Sequence, residues 1–486
     1  MTRLSGWLVV VLAAGGLIVS SLASATMGYF ALGYGAKAMG VAGAVVSNPQ
    51  DSATIAVNPA GITAIGERVD VGLEFFTPQR KAELDTSALG ATFDVKEDSR
   101  RNLFLIPNVG FNIQLTDKLW FGFNNYGNGG LNSTYDNNLY DETAAVLGAY
   151  ANGIPSPPAP APIPPGPGAA AFVPKGTTTA DFDVPTKDVG KLGIDLVQAI
   201  YAPALALRFH ENQSVGVALL LGVQRFSARG LGNFQCFTKS VATNPANAAT
   251  CPNGYAAEPS DKLTNNQSSW AYGAGVRVGY MGEVHPRLTL GGAVSSKIYM
   301  TKFDDYDELF AESGALDIPA NLTLGATFKA TPRLKVSFDF QRIFYEGVNS
   351  ISNPGPVATP AGPGLPPGGD WLGTKNGLGF GWQDINVYRL AAEYQYDDHW
   401  IFRTGFSYND QPIPDDQLLF NILAPATIQK HATVGFTYQP DRKSEWNFAY
   451  MHAFKETVES SKTAFGIPGS ITMYQNSVDV SYSYKF

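Results

Sequence analysis

The chain has 486 residues, of which 16% are charged and 12% are aromatic, and its formal net charge is −8. A negative net charge argues against a nucleic-acid partner, because phosphate backbones attract basic surfaces. The mean hydropathy of −0.06, with 51 Gly and 22 Tyr, is typical of an exported β protein, since a barrel alternating between lipid and lumen averages to neutral hydropathy.

Residues 1–25 have the pattern of a secretory signal peptide. Arg3 precedes an apolar run from Trp7 to Val19, and Ala23-Ser24-Ala25 forms an A-x-A cleavage site. A transmembrane anchor is the alternative, but the run is short for a span of about 20 residues. We therefore expect cleavage after Ala25, and the absence of a later long apolar run predicts a mature protein without a spanning helix.

The segment from Gly33 to Gly66 has neither the alternation of a strand nor a long helical face. It is rich in Gly and Ala, which let backbone segments pack closely. Asn58, Pro59 and Ala60 predict a fixed turn, because Pro locks φ and Asn caps or turns the chain before it. The sequence thus predicts a compact N-terminal plug over residues 26–66, ahead of a strand-rich domain over residues 67–486.

After the plug, apolar and polar residues alternate with the period of two that places successive side chains on opposite faces of a strand. At the C-terminus, Val478, Val480 and Tyr482 share one face, whereas Asp479 and Ser481 share the other. Segments of this kind are predicted at 67–79, 101–115, 118–127, 197–210, 212–225, 268–284, 286–300, 319–331, 332–346, 385–398, 399–410, 429–440, 444–455 and 474–486. They predict an all-β fold, an antiparallel transmembrane barrel of fourteen strands, an even number as in single-chain bacterial barrels.

The predicted connections alternate between short polar turns and long loops, as expected for periplasmic turns and extracellular loops. The long loop 128–196 contains a proline-rich run, Ser156 to Ala171, which is either a docking surface or an unstructured insertion. Within Lys187 to Gln198, the apolar residues Val189, Leu192, Leu196 and Val197 predict a short amphipathic helix. The loop 347–384 is a second insertion rich in Pro and Gly.

Cys236 and Cys251 are the only two cysteines in the sequence. Because an exported protein folds in an oxidising compartment, we expect them to form one disulfide that closes the loop after the fifth strand. Such a bridge contributes about 3 kcal/mol in the loop-entropy estimate. Two thiols and scattered histidines do not make the pattern of a metal site, and we expect no metal and no cofactor.

Extending the strand alternation places several charged side chains in the lumen, because a cation at the lipid face near mid-membrane costs about 2–4 kcal/mol. If the ligand is a carboxylate, we expect its head group near Arg277, Lys297 or Arg389. The alternative is that lumenal charges pair with one another or with plug residues such as Asp51 and Glu67. The predicted lumenal residues are Arg277, Lys297, Arg389, Arg403, Asp339, Glu393 and Asp479.

No motif of an enzyme stands out. The sequence lacks Gly-x-Ser-x-Gly, His-Glu-x-x-His and P-loop patterns, and His210, His285 and His399 fall in or beside separate turns. A Ser-His lipase in the outer membrane is a minor alternative. The protein is therefore predicted not to be an enzyme.

The chain resembles the FadL family of outer-membrane transporters for long-chain fatty acids and other hydrophobic compounds. The matching residues are the run GYGAKAMGVAGA, Asp51-Ser52-Ala53, Asn58-Pro59-Ala60, Ile318 to Gly325, Trp382-Gln383-Asp384, Arg403 to Tyr408 with Pro412 and Pro414, and the terminal Phe486. The proline-rich insertions depart from the family pattern and leave the class of ligand open.

The resemblance implies a monomeric barrel whose plug is a hatch with Asn58, Pro59 and Ala60 as its motif. It also implies an external apolar groove, an internal ligand site near the hatch, and sideways exit where the third strand is kinked. The kink would fall in the glycine-rich stretch from Gly122 to Gly130, and Phe486 would be the contact for barrel assembly. The glycines of that stretch, which weaken a regular ladder, are Gly122, Gly127, Gly129 and Gly130.

These observations predict passive uptake of a hydrophobic small molecule across the outer membrane of a Gram-negative bacterium. A general porin is one alternative, although a plug has no purpose in it. A structural or adhesive barrel is the other, and it would not need the Asn-Pro-Ala motif. The sequence does not distinguish a fatty acid from an alkane or an aromatic hydrocarbon.

Overall fold

The computed structural model describes residues 27–89, 94–143, 190–247, 256, 258–359 and 362–486. In these residues, fourteen antiparallel strands form one closed barrel, which confirms the predicted fold class. The strands are β1 Arg68–Leu84, β2 Phe104–Gln114, β3 Leu119–Tyr135, β4 Leu192–His210, β5 Gln213–Arg229, β6 Ser269–His285, β7 Leu288–Ser295, β8 Asn321–Lys329, β9 Leu334–Ile343, β10 Ile385–Gln395, β11 Trp400–Asn409, β12 Lys430–Tyr438, β13 Ser444–Ser460 and β14 Gly469–Lys485.

The barrel closes through a ladder between its first and last strands. Pairing of β1 with β14 runs from Arg68 opposite Lys485 to Leu84 opposite Gly469. Along β14, the side chain of Asp479 is 2% exposed, whereas that of its neighbour Val480 is 39% exposed. Polar residues therefore face the lumen and apolar residues face outward, as the alternation predicts.

Short elements occupy the connections and the N-terminal segment. The α-helices are Ala36–Gly40, Lys239–Thr243, Ala311–Gly314, Asn349–Ser352 and Leu418–Asn421, and the 3-10 helices are Ser52–Ala56, Pro59–Ala64, Thr86–Leu89, Gly232–Phe237, Pro245–Asn247, Asp304–Tyr306 and Tyr345–Gly347. Four further short strands are not counted among the fourteen barrel strands: Val95–Asp98, Tyr299–Met300, Val357–Thr359 and Gly362–Gly364. Among the helices of the described residues, none has the length and apolar character needed to cross a membrane.

The predicted amphipathic helix between Lys187 and Gln198 is wrong over its described part. Leu192, Leu196 and Val197 belong to β4, which pairs with β3 on one side and β5 on the other. Ladder hydrogen bonds on both edges outweigh a helical spacing of a few apolar residues. For the same reason β3 continues to Tyr135, beyond the predicted end at residue 127.

Some predictions concern parts of the chain that lie outside the described residues. These are the signal peptide at 1–25, the proline-rich run at 156–171, Val189 and Cys251. Cys236 lies in the 3-10 helix Gly232–Phe237. Its disulfide with Cys251 stays a prediction.

Candidate functional site

The N-terminal plug, residues 27–66 of the described chain, is packed inside the barrel. From Met27 to Thr63 nearly every residue is buried, including the polar side chains of Lys37, Asp51 and Asn58. The short helix Ala36–Gly40 lies against β12 and β13, and the 3-10 helix Pro59–Ala64 lies against β4, β5 and β6. The plug thus contacts distant parts of the barrel wall.

A buried ion network joins the plug to the wall at β1 and β13. Lys37 Nζ pairs with the Glu445 carboxylate, which also accepts from Arg68 at 3.0 Å, and Arg68 pairs with Asp70 at 2.7 Å. Burial lowers the pKa of Lys37 to about 8, so the side chain is still protonated at neutral pH. Asp70 Oδ2 also accepts from Ser52 N at 2.9 Å.

Asn58 anchors the other side of the plug through both the oxygen and the nitrogen of its side-chain amide. Its Oδ1 accepts from Ala60 N at 3.1 Å and caps the 3-10 helix, which begins with Pro59, a residue suited to the first helical position. Its Nδ2 donates to Val46 O at 2.7 Å and to Tyr280 O on β6 at 2.9 Å. The motif therefore fixes a turn, as its residue types predict, and bonds that turn to the wall.

The wall is shaped to receive this turn. A Cβ atom at Gly279 on β6 would lie 2.0 Å from Asn58 Oδ1, and one at Gly216 on β5 would lie 2.5 Å from Ala60 N. Any larger residue at either position would displace the plug or the strand, so glycine is required for this close approach.

We expect Asn58→Ala to loosen the plug and leave the barrel intact. Two backbone carbonyls and one N–H lose a buried partner, which costs about 1–3 kcal/mol. Pro59→Ala, by contrast, leaves these hydrogen bonds in place and changes stability by less than about 1 kcal/mol. Hydrogen exchange of plug amides measures the first effect, and heat-modifiable gel mobility reports on the barrel. Failure of Asn58→Ala to assemble at all would show instead that the plug is needed for folding.

Two of the predicted lumenal cations meet at one small internal cavity. Arg277 on β6 and Arg389 on β10 both line it, together with the plug residue Tyr34 and the amide and hydroxyl side chains of Asn321, Thr323 and Gln341. Arg277 donates to Ser295 Oγ at 2.6 Å and to Ile55 O of the plug at 3.0 Å. We call this space, lined by two cations and several polar side chains, the head-group cavity.

Arg389 is held less completely than Arg277. Its Nη2 donates to Gln341 Oε1 at 2.6 Å and contacts Met27 Sδ at 3.1 Å, while its buried Nε has no hydrogen-bond partner among the described residues. Asp339, on the neighbouring strand directly opposite Arg389, accepts from Val46 N at 2.9 Å. One N–H of the guanidinium is thus buried without an acceptor among the described residues.

Lys297 does not join this cavity. It follows β7, pairs with Asp317 at 2.8 Å, and its Nζ lies 4.9 Å from the ring of Tyr299, which is 67% exposed. The sequence prediction assumes that the alternation of β7 continues through residues 296–298. In the structure, Tyr299–Met300 pairs with β6 in a register that is shifted by one residue from the register in which β7 pairs with β6. A shift of one residue exchanges the two faces of a strand, so the alternation of β7 does not fix the direction of Lys297, and its part in ligand binding stays a prediction.

Arg403 and Glu393, two further predicted lumenal charges, pair with each other. Arg403 on β11 bonds to Glu393 at 2.8 Å and to Gln50 of the plug at 3.2 Å, and Glu393 also pairs with Lys335 at 2.9 Å. Glu67 accepts from the backbone N of Gln114 at 3.1 Å. These contacts follow the alternative in which lumenal charges hold the plug and one another.

The wall is interrupted between β2 and β3. The two strands pair only from Val109 opposite Asn125 to Gln114 opposite Trp120. Beyond that point β3 no longer pairs with β2, and an isolated bridge joins Gly129 to Phe30 of the plug. The register of β3 with β4 shifts between Gly127 and Gly129, so Asn128 is an extra residue. We call the stretch in which β2 and β3 do not pair with each other, residues 104–108 of β2 and 126–131 of β3, the wall gap.

The plug touches the wall gap directly. Ala31 N donates to Asn128 O at 3.2 Å, and Asn128 Nδ2 donates to Gln198 Oε1 on β4 at 3.0 Å. The carbonyl of Asn128, the extra residue of β3, therefore accepts a hydrogen bond from the plug. This bond couples the position of the plug to that of β3.

At the long-loop end of the barrel lies an apolar pocket. Its walls come from β4, β5 and four long connections, and they include edge-to-face aromatic pairs such as Phe234 with Phe420, whose ring centroids are 5.1 Å apart. The pocket is lined mainly by Ile194, Phe226, Phe234, Phe310, Leu372 and Phe420. It offers contacts suited to a hydrophobic ligand.

Comparison with known proteins places this architecture in a family. Residues 166–486 match the family model described as outer membrane protein transport protein (OMPP1/FadL/TodX). The chain belongs to this family. Membership confirms the resemblance seen in the sequence and the outer-membrane location, and the family consists of transporters and channels.

Individual relatives are distant. A long-chain fatty acid transport protein of Escherichia coli O6:H1 is 31% identical over 75 residues, which is 15% of this chain and 17% of the relative. The chain therefore aligns with less than a fifth of that relative. The toluene transporter TodX of Pseudomonas putida has the same fold with a TM-score of 0.62 at 18% identity, covering 94% of this chain and 99% of that one. A FadL homologue of Pseudomonas aeruginosa gives a TM-score of 0.61 at 15% identity, covering 94% and 100%.

Sequence reasoning missed the strongest anchors of the plug. Lys37 is a single cation in a Gly/Ala-rich run, and its isolation was a usable signal, because a buried cation requires an anion. Its partner Glu445 begins β13 far along the chain, at a strand end where a polar residue looks like an ordinary turn residue. Only the closed barrel brings the two together.

Proposed function

We propose that this family member is a passive channel that takes up hydrophobic small molecules through the outer membrane and releases them sideways through the wall gap. The observation that carries this proposal is the loss of β2–β3 pairing beside a bulge whose carbonyl is bonded to the plug. An opening in the wall gives an apolar molecule a route that avoids water, and movement follows graded affinity without an energy source.

The proposed path of the ligand has three successive steps. A ligand first binds the apolar pocket at the long-loop end, next reaches the lumen near the head-group cavity, and then leaves through the wall gap. The relatives named above, a fatty acid transport protein and a toluene transporter, support a hydrophobic substrate of either kind. We propose no cofactor, no nucleic-acid partner and no catalytic activity.

In this proposal residues 26–66 act as the hatch that closes the direct route through the barrel, and residues 67–486 form the barrel, after removal of residues 1–25 as a signal peptide. The closed β1–β14 ladder supports a monomer, since no strand edge at that seam is left for a partner chain. Phe486 stacks edge-on against Tyr484 with ring centroids 5.3 Å apart and is 48% exposed. This outward position supports its proposed role as the contact for the barrel assembly machinery and lipid.

We expect deletion of Asn128 to reduce uptake strongly. Removing the extra residue lets β3 keep one register, which favours regular pairing and narrows the wall gap. The measurement is uptake of toluene and hexadecanoate by proteoliposomes, with deletion of Asn265, in a loop outside the barrel strands, as the control. Unchanged uptake in a correctly assembled deletion variant would exclude exit through the gap.

Liposome swelling distinguishes this function from that of a general porin. The buried plug predicts that the wild-type protein admits no sugars while it still takes up the two hydrophobic probes. Rapid swelling in sugars would favour the porin, and uptake of none of these solutes would favour a structural or adhesive barrel.

A further inference from the structure

Two arginine side chains share one carboxylate on the outer face of the barrel, near its long-loop end. Arg101 Nη1 lies 2.9 Å from Asp195 Oδ2 on β4, and Arg225 Nη2 on β5 lies 3.0 Å from the same oxygen. The other oxygen, Asp195 Oδ1, accepts a hydrogen bond from Asn132 Nδ2 at 3.1 Å. Because one carboxylate cannot neutralise two guanidinium groups, this cluster keeps a net positive charge.

The same excess of cations occurs next to this cluster. Asp136, which directly follows β3, pairs with Arg100 at 2.8 Å and lies 3.7 Å from Lys191 Nζ, and both cations are more than half exposed. Arg229 is exposed at the end of β5, opposite Gly193 of β4. We call this group of side chains the outer basic patch, and its members are Arg100, Arg101, Lys191, Arg225 and Arg229. The chain as a whole has a net charge of −8, so a surface on which cations outnumber their acidic partners is an exception in it.

The outer basic patch faces away from the lumen and lies at the level of the membrane–water interface. Arg225 is on the same face of β5 as Leu219 and Leu221, which are 47% and 40% exposed, because side chains alternate along a strand. Trp270 on β6 lies directly opposite Arg225, and Tyr272 follows it on the same face; they are 44% and 57% exposed. Aromatic residues form girdles at the interfaces of outer-membrane barrels. The patch therefore has water above it and a lipid-facing apolar surface directly below it.

The acidic side chains of the adjacent short strand Val95–Asp98 have other neighbours. Glu97 accepts a hydrogen bond from Asn137 Nδ2, and Asp98 lies opposite Lys81 of β1. Exposed ion pairs contribute little to stability, so the folding of the barrel does not account for a positive cluster at this place. Recognition of an anion at the membrane surface does account for it.

We propose that the outer basic patch binds the phosphate groups of an anionic, acylated lipid of the outer leaflet, whose acyl chains lie on the apolar face of β5 below. The fork of N–H donors on a guanidinium matches the oxygens of a phosphate, and such charge-assisted hydrogen bonds are among the stronger ones in proteins. This inference goes beyond the proposed function, because the lipid binds outside the wall as a membrane partner and is not transported.

The first test is native mass spectrometry of the purified protein in detergent, with bisphosphorylated lipid A as the probe. Lipid A is expected to stay bound, whereas the same lipid without its phosphates should bind at least about tenfold more weakly. Inorganic phosphate at millimolar concentration should not displace the lipid, because it gains no contact with the apolar face. Equal binding of the two lipids would overturn the inference. Displacement by inorganic phosphate would also overturn it, since it would indicate a site for a free anion only.

Variants test whether the lipid binds at the patch. Arg101→Gln combined with Arg225→Gln is expected to weaken lipid A binding about tenfold to a hundredfold. Asp195→Asn removes the competing carboxylate and is expected to strengthen binding severalfold, a gain that misfolding cannot produce. The matched control is Lys430→Gln, because Lys430 is exposed at the same end of the barrel but pairs with Glu456 at 2.9 Å, one cation to one carboxylate.

The outcomes for these variants are judged on assembled barrels, as shown by heat-modifiable gel mobility. Weaker binding in the double arginine variant with a gain in Asp195→Asn would support the patch. Unchanged binding in both would reject it. A loss in Lys430→Gln as large as that in the double arginine variant would also reject it, because the lipid would then respond to any surface cation. None of these measurements uses transport, so the results for the patch and for the channel are independent.

Discussion

Glu445→Gln is expected to release the plug from the wall while the barrel stays closed. Glu445 is 2% exposed and is the shared anion for Lys37, Arg68 and Lys485. The substitution leaves Lys37 buried, with Gln50 O at 3.4 Å as its remaining acceptor. Removing one partner of a buried ion pair costs about 3–5 kcal/mol, which shifts the docking equilibrium of the plug more than about a hundredfold.

Two measurements detect this release. Trypsin should cleave at Lys37, which is protected in the native protein, and liposomes containing the variant should swell in sugars. Heat-modifiable gel mobility should stay that of a folded barrel, because the strand ladder does not depend on the plug. The matched control is Glu456→Gln on the same strand, whose partner Lys430 is half exposed, because water screens an exposed ion pair and its loss has little effect on stability.

A double variant tests the mechanism of the effect. Lys37→Met combined with Glu445→Gln removes both buried charges of the pair, and such replacements are often neutral or stabilising. We therefore expect the double variant to recover much of the protection from trypsin, while Arg68 keeps Asp70. Equal cleavage in the single and double variants would contradict an electrostatic anchor and point to packing of the helix Ala36–Gly40.

The barrel was predictable from sequence because its signal is local. Neighbouring residues along β14 and all the remaining strands alternate between side chains that face the lumen and side chains that face lipid. The connections alternate in the same local way between short turns and long loops. Strand ends were less predictable: β3 runs to Tyr135 and β4 begins at Leu192 because the ladder between them continues to that pair. A pattern of apolar spacing cannot show how far a ladder continues.

The candidate site was predictable only where one strand decides the direction of a side chain. Arg277 and Arg389 lie on unbroken strands and face the lumen as the alternation predicts. Lys297 follows a shift of register, which no residue type between Ser295 and Tyr299 announces.

Substitution of Arg277 and Arg389 is expected to separate acids from neutral hydrocarbons. Both guanidinium groups line the head-group cavity, and the buried Nε of Arg389 lacks a partner among the described residues. An ionised carboxylate needs such a partner when it leaves water. Arg277→Met and Arg389→Met should each weaken hexadecanoate binding about tenfold to a hundredfold and leave toluene binding nearly unchanged.

Lys297→Met provides the matched control for these two variants. Lys297 was a candidate from the sequence, but it pairs with Asp317 away from the cavity, so its removal should change neither ligand. The measurement is equilibrium binding of hexadecanoate and toluene to each purified variant, with gel mobility to confirm assembly. A loss for hexadecanoate alone supports head-group recognition. Equal effects on both ligands, or no effect in either arginine variant, would reject it and favour a cavity in which Arg277 and Arg389 serve to hold the plug.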